Sequence, residues 1–224
     1  MFKYSAKRLL VCDMAGTTVQ ERGIVYSALY QTIKIIKPDL QKSEIARFTG
    51  HKKSDVIKHF VLNEKIDGPN SVIRNLNSEF NYFLKNEYMN NPTVKLIHPD
   101  LPDYFNMLRH NGIKITLNTG YNKDIQNLLI DKLNMLDFID DYISSEEVKN
   151  GRPFPYMIHE LMERNNIDSV DEVVKVGDTV SDIQEGKNAG CDTVAVLSGS
   201  DELRMLKKEK PTFVVNNITN IRFI

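Results

Sequence analysis

The chain lacks the features that mark several large classes of protein. It has 224 residues with only 11 glycines, 8 prolines and 2 cysteines, which excludes collagen-like, disordered and disulfide-framework proteins. No apolar run approaches the ~18 residues of a membrane helix, and the N-terminal run is too short for a secretory signal. The net charge of −1 argues against the broad positive field that favours nucleic acid or anionic membranes. We therefore expect a soluble globular protein with neither partner.

The two cysteines indicate a reducing compartment. Cys12 lies in the run LLVC and Cys191 in the run GCDTVAV, and apolar surroundings of this kind are typical of buried, reduced thiols. The sequence thus predicts a cytoplasmic protein, and it leaves a homodimer as an open alternative.

The order of the apolar segments predicts an α/β core interrupted by a helical insertion. Arg8–Cys12 is a continuous apolar run that predicts a buried first strand, whereas residues 24–89 carry apolar residues at helical spacing. Strands then alternate with helices, at 113–117, 142–144, 173–176, 193–197 and 213–215. This alternation is typical of a doubly wound parallel sheet.

These patterns divide the chain into two predicted domains. The core comprises residues 1–21 and 93–224, and a helical cap of residues 22–92 is inserted after the first strand. Ligands of open parallel sheets bind at the carboxyl ends of the strands, so a cap inserted there would cover the site.

The first candidate site follows the first strand. Asp13 ends the strand, and the small residues from Ala15 through Gly16 and Thr17 to Thr18 allow backbone N–H groups to approach an anion. A carboxylate facing such donors suits phosphoryl transfer. The alternative is that the segment is a strand-to-loop turn without a further role.

Two more sites lie at predicted strand ends. Asp178 and Asp182 stand four residues apart, so on a helix they share a face and offer the hard oxygen ligands that Mg²⁺ prefers. Asp182 has the alternative role of a helix cap. Thr119 and Gly120 end another strand with a hydroxyl and a glycine, as an oxyanion-binding loop would.

Together, four segments resemble one family. DMAGTT, LNTG, GRPFP and VGDTVSD occur in the order of the four motifs of the haloacid dehalogenase (HAD) superfamily, and the likeness spans nearly the whole chain. Most HAD phosphatases have a second aspartate and a lysine where this chain has Ala15 and Arg152. The phosphonatase-like subgroup shares these departures, and it also has a cap lysine three residues after a glycine, as Lys53 follows Gly50 here.

The resemblance implies a chemistry and a set of roles. An aspartyl-phosphate would form on Asp13, with Mg²⁺ held by Asp13, the backbone carbonyl of Ala15 and Asp178, and with Asp182 nearby. The remaining assignments are phosphoryl binding by Thr119 and Arg152, a Schiff base on Lys53, and substrate binding by Gly16, Thr17, Gly50 and Gly120. The substrate would be a small phosphonate, phosphonoacetaldehyde or a relative.

The departures from other HAD phosphatases fit C–P cleavage. Ester hydrolysis expels an alkoxide that a general acid protonates, and Ala15 cannot act as that acid. C–P cleavage expels a carbanion, and a lysine imine supplies the electron sink that it needs. Without the resemblance, Lys53 would be interpreted as a solvated helix start and Arg152 as the residue before a helix opened by Pro153.

Other residues leave the substrate open. Thr49 and Val56 stand where the subgroup has a methionine and a histidine, and the cysteine expected after the first motif is absent. A hydrolase of small phosphate esters, such as a sugar phosphate or phosphoglycolate, is therefore the first alternative. A non-enzymatic binding protein on a HAD fold is the second, and the intact Asp13 argues against it.

Overall fold

The chain folds into two compact units. The computed structural model describes residues 1–2, 6–21, 23–46, 48 and 53–224. The core unit is Met1–Gln20 with Lys95–Ile224, and the helical unit is Glu21–Val94. These bounds lie within two residues of the predicted domain bounds. That the helical unit acts as a cap stays a prediction.

Strands and helices alternate along the core unit. The strands are β1 (Leu9–Asp13), β2 (Val19–Gln20), β3 (Lys95–Leu96), β4 (Lys114–Thr119), β5 (Asp141–Ser144), β6 (Val173–Gly177), β7 (Asp192–Val196) and β8 (Phe213–Val215). The helices of the helical unit are α1 (Ile24–Lys34), α2 (Lys42–Ala46), α3 (Lys53–Asn63) and α4 (Pro69–Asn90). Those of the core unit are α5 (Leu101–His110), α6 (Lys123–Lys132), α7 (Tyr156–Arg164), α8 (Val180–Ala189) and α9 (Leu203–Lys208).

Six strands form one parallel sheet in the order β5-β4-β1-β6-β7-β8. All five residues of β1 and all five of β6 are buried, which explains why both read as continuous apolar runs rather than as alternating ones. The chain leaves β1 for β4 and β5 on one side and returns to β6 on the other, so β1 stands at the switch point of the sheet. The predicted α/β fold with a doubly wound sheet and a helical insertion is confirmed.

One pair of strands has no counterpart in the sequence prediction. Val19 and Gln20 pair antiparallel with Leu96 and Lys95, next to the two points where the chain passes between the units. Two residues are too few to display the alternation by which a strand is recognised.

Helix α8 begins and ends at residues that explain its bounds. Thr179 is the N-cap of a reciprocal capping box with Asp182, which starts the helix at Val180, and Gly190 ends it at φ 83°. The sequence predicts this helix from about Asp182, which is the third residue of the helix rather than its start. The capping bond therefore places a carboxylate inside the first turn.

The helical unit is built mainly on the contact between α1 and α4. Helix α1 buries Ala28, Leu29 and Ile33 among its apolar residues, and the 22-residue helix α4 buries one stripe that includes Leu84. The Tyr88 hydroxyl at the end of that stripe donates to the Glu21 carboxylate. Among the described residues, none of the helices is both long and apolar enough to cross a membrane.

Candidate active site

The sheet brings the predicted carboxylates together at one edge. Asp13 ends β1 in register with Asn118 on β4, and Asp178 directly follows β6, the other neighbour of β1. Oxygen atoms of Asp13, Asp178 and Asp182 all lie within 4.8 Å of one another, and the three side chains are buried. Their convergence follows from the parallel pairing, because the carboxyl ends of neighbouring strands meet at the same edge.

Three backbone amides of the turn after β1 form hydrogen bonds within the turn. The N–H of Gly16 donates to the Val19 carbonyl at 2.8 Å, and those of Thr17 and Thr18 donate to the Met14 carbonyl at 3.3 and 2.9 Å. These three donors are thus engaged within the turn. Anion binding by the backbone N–H groups of this segment, which begins at Ala15, stays a prediction.

Gly16 and Thr17 instead shape the position of Asp178. The Thr17 hydroxyl donates to Asp178 Oδ1 at 3.1 Å, and Ser200 N donates to Oδ2 at 2.8 Å. A Cβ on Gly16 would lie 2.6 Å from Asp178 Oδ2, and one on Gly199 would lie 1.9 Å from it. Only glycine leaves room for the carboxylate at either position. The sequence reasoning missed Gly199 and Ser200, although they follow a predicted strand in the same way as the motifs do.

Asp182 has the capping role that the sequence left open. Its Oδ2 accepts from the Thr179 hydroxyl at 2.5 Å, and its Oδ1 lies 3.0 Å from both Arg152 Nη1 and Lys175 Nζ. Burial opposes ionisation of Asp182, but the two cations outweigh it and hold its pKa below the usual range. Oδ2 is thus hydrogen-bonded, whereas Oδ1 is paired with the two cations but accepts no hydrogen bond from the described residues, and the assignment of Asp182 as a metal ligand stays a prediction.

The Arg152 guanidinium is held on all of its nitrogen atoms. Nε donates to Glu185 Oε2 at 3.1 Å, Nη1 to Asp13 Oδ1 at 2.7 Å, and Nη2 to the backbone and side-chain oxygens of Asn118 at 2.9 and 2.6 Å. Nη1 also lies 3.0 Å from Asp182 Oδ1. A guanidinium has five N–H donors and these hydrogen bonds use four of them, so phosphoryl binding by Arg152 stays a prediction.

The charges of this cluster do not balance. Among the described residues it contains the carboxylates of Asp13, Asp178, Asp182 and Glu185 and the cations Arg152 and Lys175, so two negative charges are left over when all are ionised. Burial raises the pKa of Asp13 to about 6, although Arg152 opposes the shift. Burial, and then the charges of Asp13 and Asp182, hold the pKa of Asp178 well above its usual range. A divalent cation beside Asp13 and Asp178 would supply the missing charge, so these residues fit a metal site.

Thr119 and Gly120 stand where β4 ends. Thr119 is 2% exposed, and its hydroxyl accepts from the backbone N–H of Tyr121 at 3.2 Å. Gly120 is exposed, and its carbonyl accepts from the Ser145 hydroxyl at 3.2 Å. Their roles in binding a substrate stay predictions.

Lys53 is the first residue of α3 in the helical unit. Its Nζ donates to the Tyr26 hydroxyl at 3.4 Å and lies 4.7 Å from the centroid of the Tyr26 ring. Gly50, like Thr49, lies outside the described residues, so its predicted role cannot be followed here. Val56, where the resembling subgroup has a histidine, is 1% exposed.

Three polar residues of the cluster escaped the sequence reasoning. Asn118, Lys175 and Glu185 are fully buried, with 0% of each side chain exposed. Lys175 gives the clearest signal, because a lysine inside the apolar strand VVKVG needs buried counter-charges. Glu185 carries no such signal, because a glutamate on a helix is ordinarily exposed.

Comparisons with known proteins place the chain among hydrolases. Residues 10–196 match the family described as haloacid dehalogenase-like hydrolase. The bifunctional phosphonoacetaldehyde hydrolase/aminoethylphosphonate transaminase of Clostridioides difficile is 31% identical over 216 residues, which are 90% of this chain and 33% of that protein. The phosphonoacetaldehyde hydrolase of Bacillus cytotoxicus is 39% identical over 103 residues, which are 46% of this chain and 39% of that protein. The chain thus spans between a third and two fifths of these curated relatives.

A solved structure supports the same fold. The phosphonoacetaldehyde hydrolase like protein from Oleispira antarctica superposes with a TM-score of 0.79 at 21% identity, covering 98% of this chain and 91% of that one.

Proposed function

Because the chain belongs to the haloacid dehalogenase-like hydrolase family, we propose that it is a Mg²⁺-dependent hydrolase that cleaves phosphonoacetaldehyde or a related small phosphonate. The observation that carries the proposal is the buried pair Asp13 and Asp178 at the switch point of the sheet, together with alanine at position 15. The pair suits phosphoryl transfer to a carboxylate. Ala15 removes the residue that an ester hydrolase of this family would use as its acid.

Asp13 is the proposed nucleophile. Arg152 Nη1 donates to Asp13 Oδ1 at 2.7 Å, which favours the ionised carboxylate and fixes its orientation. Asp13, the Ala15 carbonyl and Asp178 would hold Mg²⁺, with Asp182 as a further candidate. When bound, the ion would bring the carboxylate and the phosphoryl oxygens together and offset their charge.

Lys53 supplies the proposed electron sink. Its amine condenses with the aldehyde carbon of the substrate and releases water, giving a protonated imine. An Asp13 oxygen then bonds to phosphorus as the C–P bond breaks, and the electron pair of that bond moves into the imine to give an enamine. Protonation of the enamine carbon and hydrolysis return Lys53 and acetaldehyde, and a second water hydrolyses phospho-Asp13 to phosphate.

Trapping of the imine tests this function. Borohydride in the presence of phosphonoacetaldehyde should leave a reduced adduct on Lys53, located by mass spectrometry of the peptides. Lys53→Arg should lose both the adduct and the release of acetaldehyde, whereas Lys58→Arg, on an exposed position of the same helix, should keep both. An adduct on another lysine, or none while turnover continues, would refute the role of Lys53.

Hydrolysis of a small phosphate ester is the second candidate. It is favoured by Val56, which stands where the subgroup has a histidine. A valine has no group that can transfer a proton, and Val56 is buried in the helical unit. Release of phosphate from sugar phosphates or phosphoglycolate, without release of phosphate and acetaldehyde from phosphonoacetaldehyde, would support it.

A further inference from the structure

A buried pair of opposite charges lies beside the proposed nucleophile, and the proposed chemistry does not use it. Lys175 on β6 and Glu185 on α8 are both 0% exposed, and Lys175 Nζ lies 3.2 Å from Glu185 Oε2. Removing two charges from water is energetically costly, and a buried pair often contributes little net stability. Its placement therefore calls for an explanation other than stability.

Glu185 accepts from donors on three sides. Its Oε2 lies 3.1 Å from Arg152 Nε, and both carboxylate oxygens lie 3.0 Å from Asn118 Nδ2. Lys175 Nζ also donates to Asn118 Oδ1, at 2.6 Å. The carboxylate is thus fixed by groups on β4 and β6 as well as by its own helix.

Close packing behind the pair restricts its movement. Gly186 follows Glu185, and a Cβ there would lie 2.9 Å from Lys175 Cβ and 2.4 Å from Thr193 Cγ2. Helix α8 can approach the sheet this closely only because position 186 has no side chain. Lys175 and Glu185 therefore meet where the helix and the sheet pack closely, and both are fully buried there.

The position of Glu185 determines where Nη1, on the opposite side of the Arg152 guanidinium, points. The guanidinium is planar and rigid, so fixing Nε on Glu185 and Nη2 on Asn118 also fixes Nη1, which donates to Asp13 Oδ1 at 2.7 Å. Loss of the contact at Nε would let the plane turn about the remaining bonds. The alignment of Nη1 with the nucleophile would then depend on Asn118 and Asp182 alone, and we expect it to be less exact.

We propose that Glu185 is a positioning residue that holds the plane of Arg152 so that Nη1 meets the Asp13 carboxylate, with Lys175 and Asn118 fixing Glu185 in turn. The inference rests on the proposed role of Asp13 as the nucleophile, but not on Lys53 or on the identity of the substrate.

Two variants of Glu185 test the contact. Glu185→Gln keeps the size and removes the charge, and Glu185→Asp keeps the charge but withdraws it by one methylene. Each should lower kcat by about 10- to 100-fold, the cost of a displaced catalytic group, with KM and Mg²⁺ affinity changed by less than about twofold. Glu160→Gln, which removes a carboxylate from Arg164 Nε at 2.9 Å on the surface of α7, should leave kcat unchanged.

A double-mutant cycle separates positioning from a structural role. Since Glu185 acts through Arg152, adding Glu185→Gln to Arg152→Lys should lower kcat no further than Arg152→Lys alone, within about twofold. Effects that multiply, or wild-type kcat in either Glu185 variant, would overturn the inference. If neither variant folds, as judged by circular dichroism, Glu185 is a structural anchor and the inference also fails.

Beryllofluoride gives a readout that needs no substrate, because it forms a phosphoaspartate-like adduct on an aspartate carboxylate. In ¹⁹F NMR with Mg²⁺, the wild type should form the adduct, and Glu185→Gln should need about tenfold more beryllofluoride. No adduct in the wild type would contradict the proposed nucleophile. Equal binding by both proteins would leave that function intact and refute the positioning role.

Discussion

The two units hold their candidate catalytic groups in different ways. In the core unit, Asp13 and Asp178 are 4% and 1% exposed, and partners from several strands and loops hold them. In the helical unit, Lys53 is half-buried in the first turn of an 11-residue helix, with its amine near Tyr26. The core groups suit phosphoryl transfer from any substrate. Lys53 is needed only for a phosphonate, so the proposed specificity depends on the less constrained of the two regions.

Asp13→Asn should have the largest effect, because it should stop phosphoryl transfer in the core unit but leave imine formation on Lys53 intact. A neutral amide cannot attack phosphorus, so turnover of phosphonate and phosphate ester alike should fall by at least about 1000-fold. The borohydride adduct on Lys53 should persist, because imine formation does not involve Asp13. Phosphate release and peptide mapping measure the two effects. Asp103→Asn, on an exposed position of α5, is the matched control.

Residual turnover above a few per cent in Asp13→Asn, after deamidation is excluded by mass spectrometry, would contradict the assignment of the nucleophile. Loss of the Lys53 adduct as well would mean that imine formation also depends on Asp13.

The unfavourable burial of the ionised Asp13 carboxylate should make the free energy of unfolding depend on pH. Its pKa is raised from 3.8 to about 6 by burial, so the folded protein holds this proton more tightly than the unfolded chain does. Stability from this group is therefore present below about pH 4 and is lost as the pH rises through 6. Relative to Asp13→Asn, the metal-free wild type should lose stability on the order of 2 kcal/mol, or roughly 4–8 °C in Tm, between pH 4 and pH 7.

Thermal unfolding in EDTA across this pH range measures the difference, and saturating Mg²⁺ should reduce it. A wild type that gains stability over Asp13→Asn as the pH rises would reverse the sign and refute the shift.

Gly199→Ala should disturb the core site without replacing a charged residue. The new Cβ would meet Asp178 Oδ2 at 1.9 Å, so the carboxylate or the loop after β7 must move. We expect Mg²⁺ affinity to fall by about 10- to 100-fold, the usual effect of disturbing a group that orients a ligand. Calorimetry measures it, and Gly120→Ala is the control, since a Cβ there meets nothing within 4 Å. Unchanged affinity would mean that Asp178 does not hold the ion.

The same contrast explains what the sequence could reveal. Asp13, Thr119 and Asp178 each follow a buried apolar run, so local pattern and the geometry of parallel sheets suffice to predict that they converge. Lys53 has no such signal and was found only through a resemblance.

The contacts that hold the core groups could not be predicted from local sequence patterns. Arg152 meets Glu185 across 33 residues of chain, and Thr17 meets Asp178 across 161. No spacing rule links residues so far apart. The hydrogen bonds within the turn after β1, from its amides to Met14 and Val19, also leave no local pattern in the sequence.

Tyr26→Phe tests the contact that Lys53 makes within the helical unit, and it should have the smallest effect of these substitutions. The change keeps the ring, whose centroid lies 4.7 Å from Lys53 Nζ, but removes the hydroxyl, which lies 3.4 Å from the same atom. In the proposed reaction this hydroxyl orients the amine. It can also exchange a proton with the carbinolamine that precedes the imine. We expect borohydride trapping and acetaldehyde release to slow by about three- to tenfold, because one hydrogen bond contributes about 1 kcal/mol. Mg²⁺ affinity should not change, since the proposed ligands belong to the core unit. Tyr30→Phe removes a hydroxyl from the same helix, where it donates to the Leu40 carbonyl at 3.3 Å, and should leave trapping unaffected. If trapping is equally fast in both variants, the contact with Tyr26 has no part in imine formation.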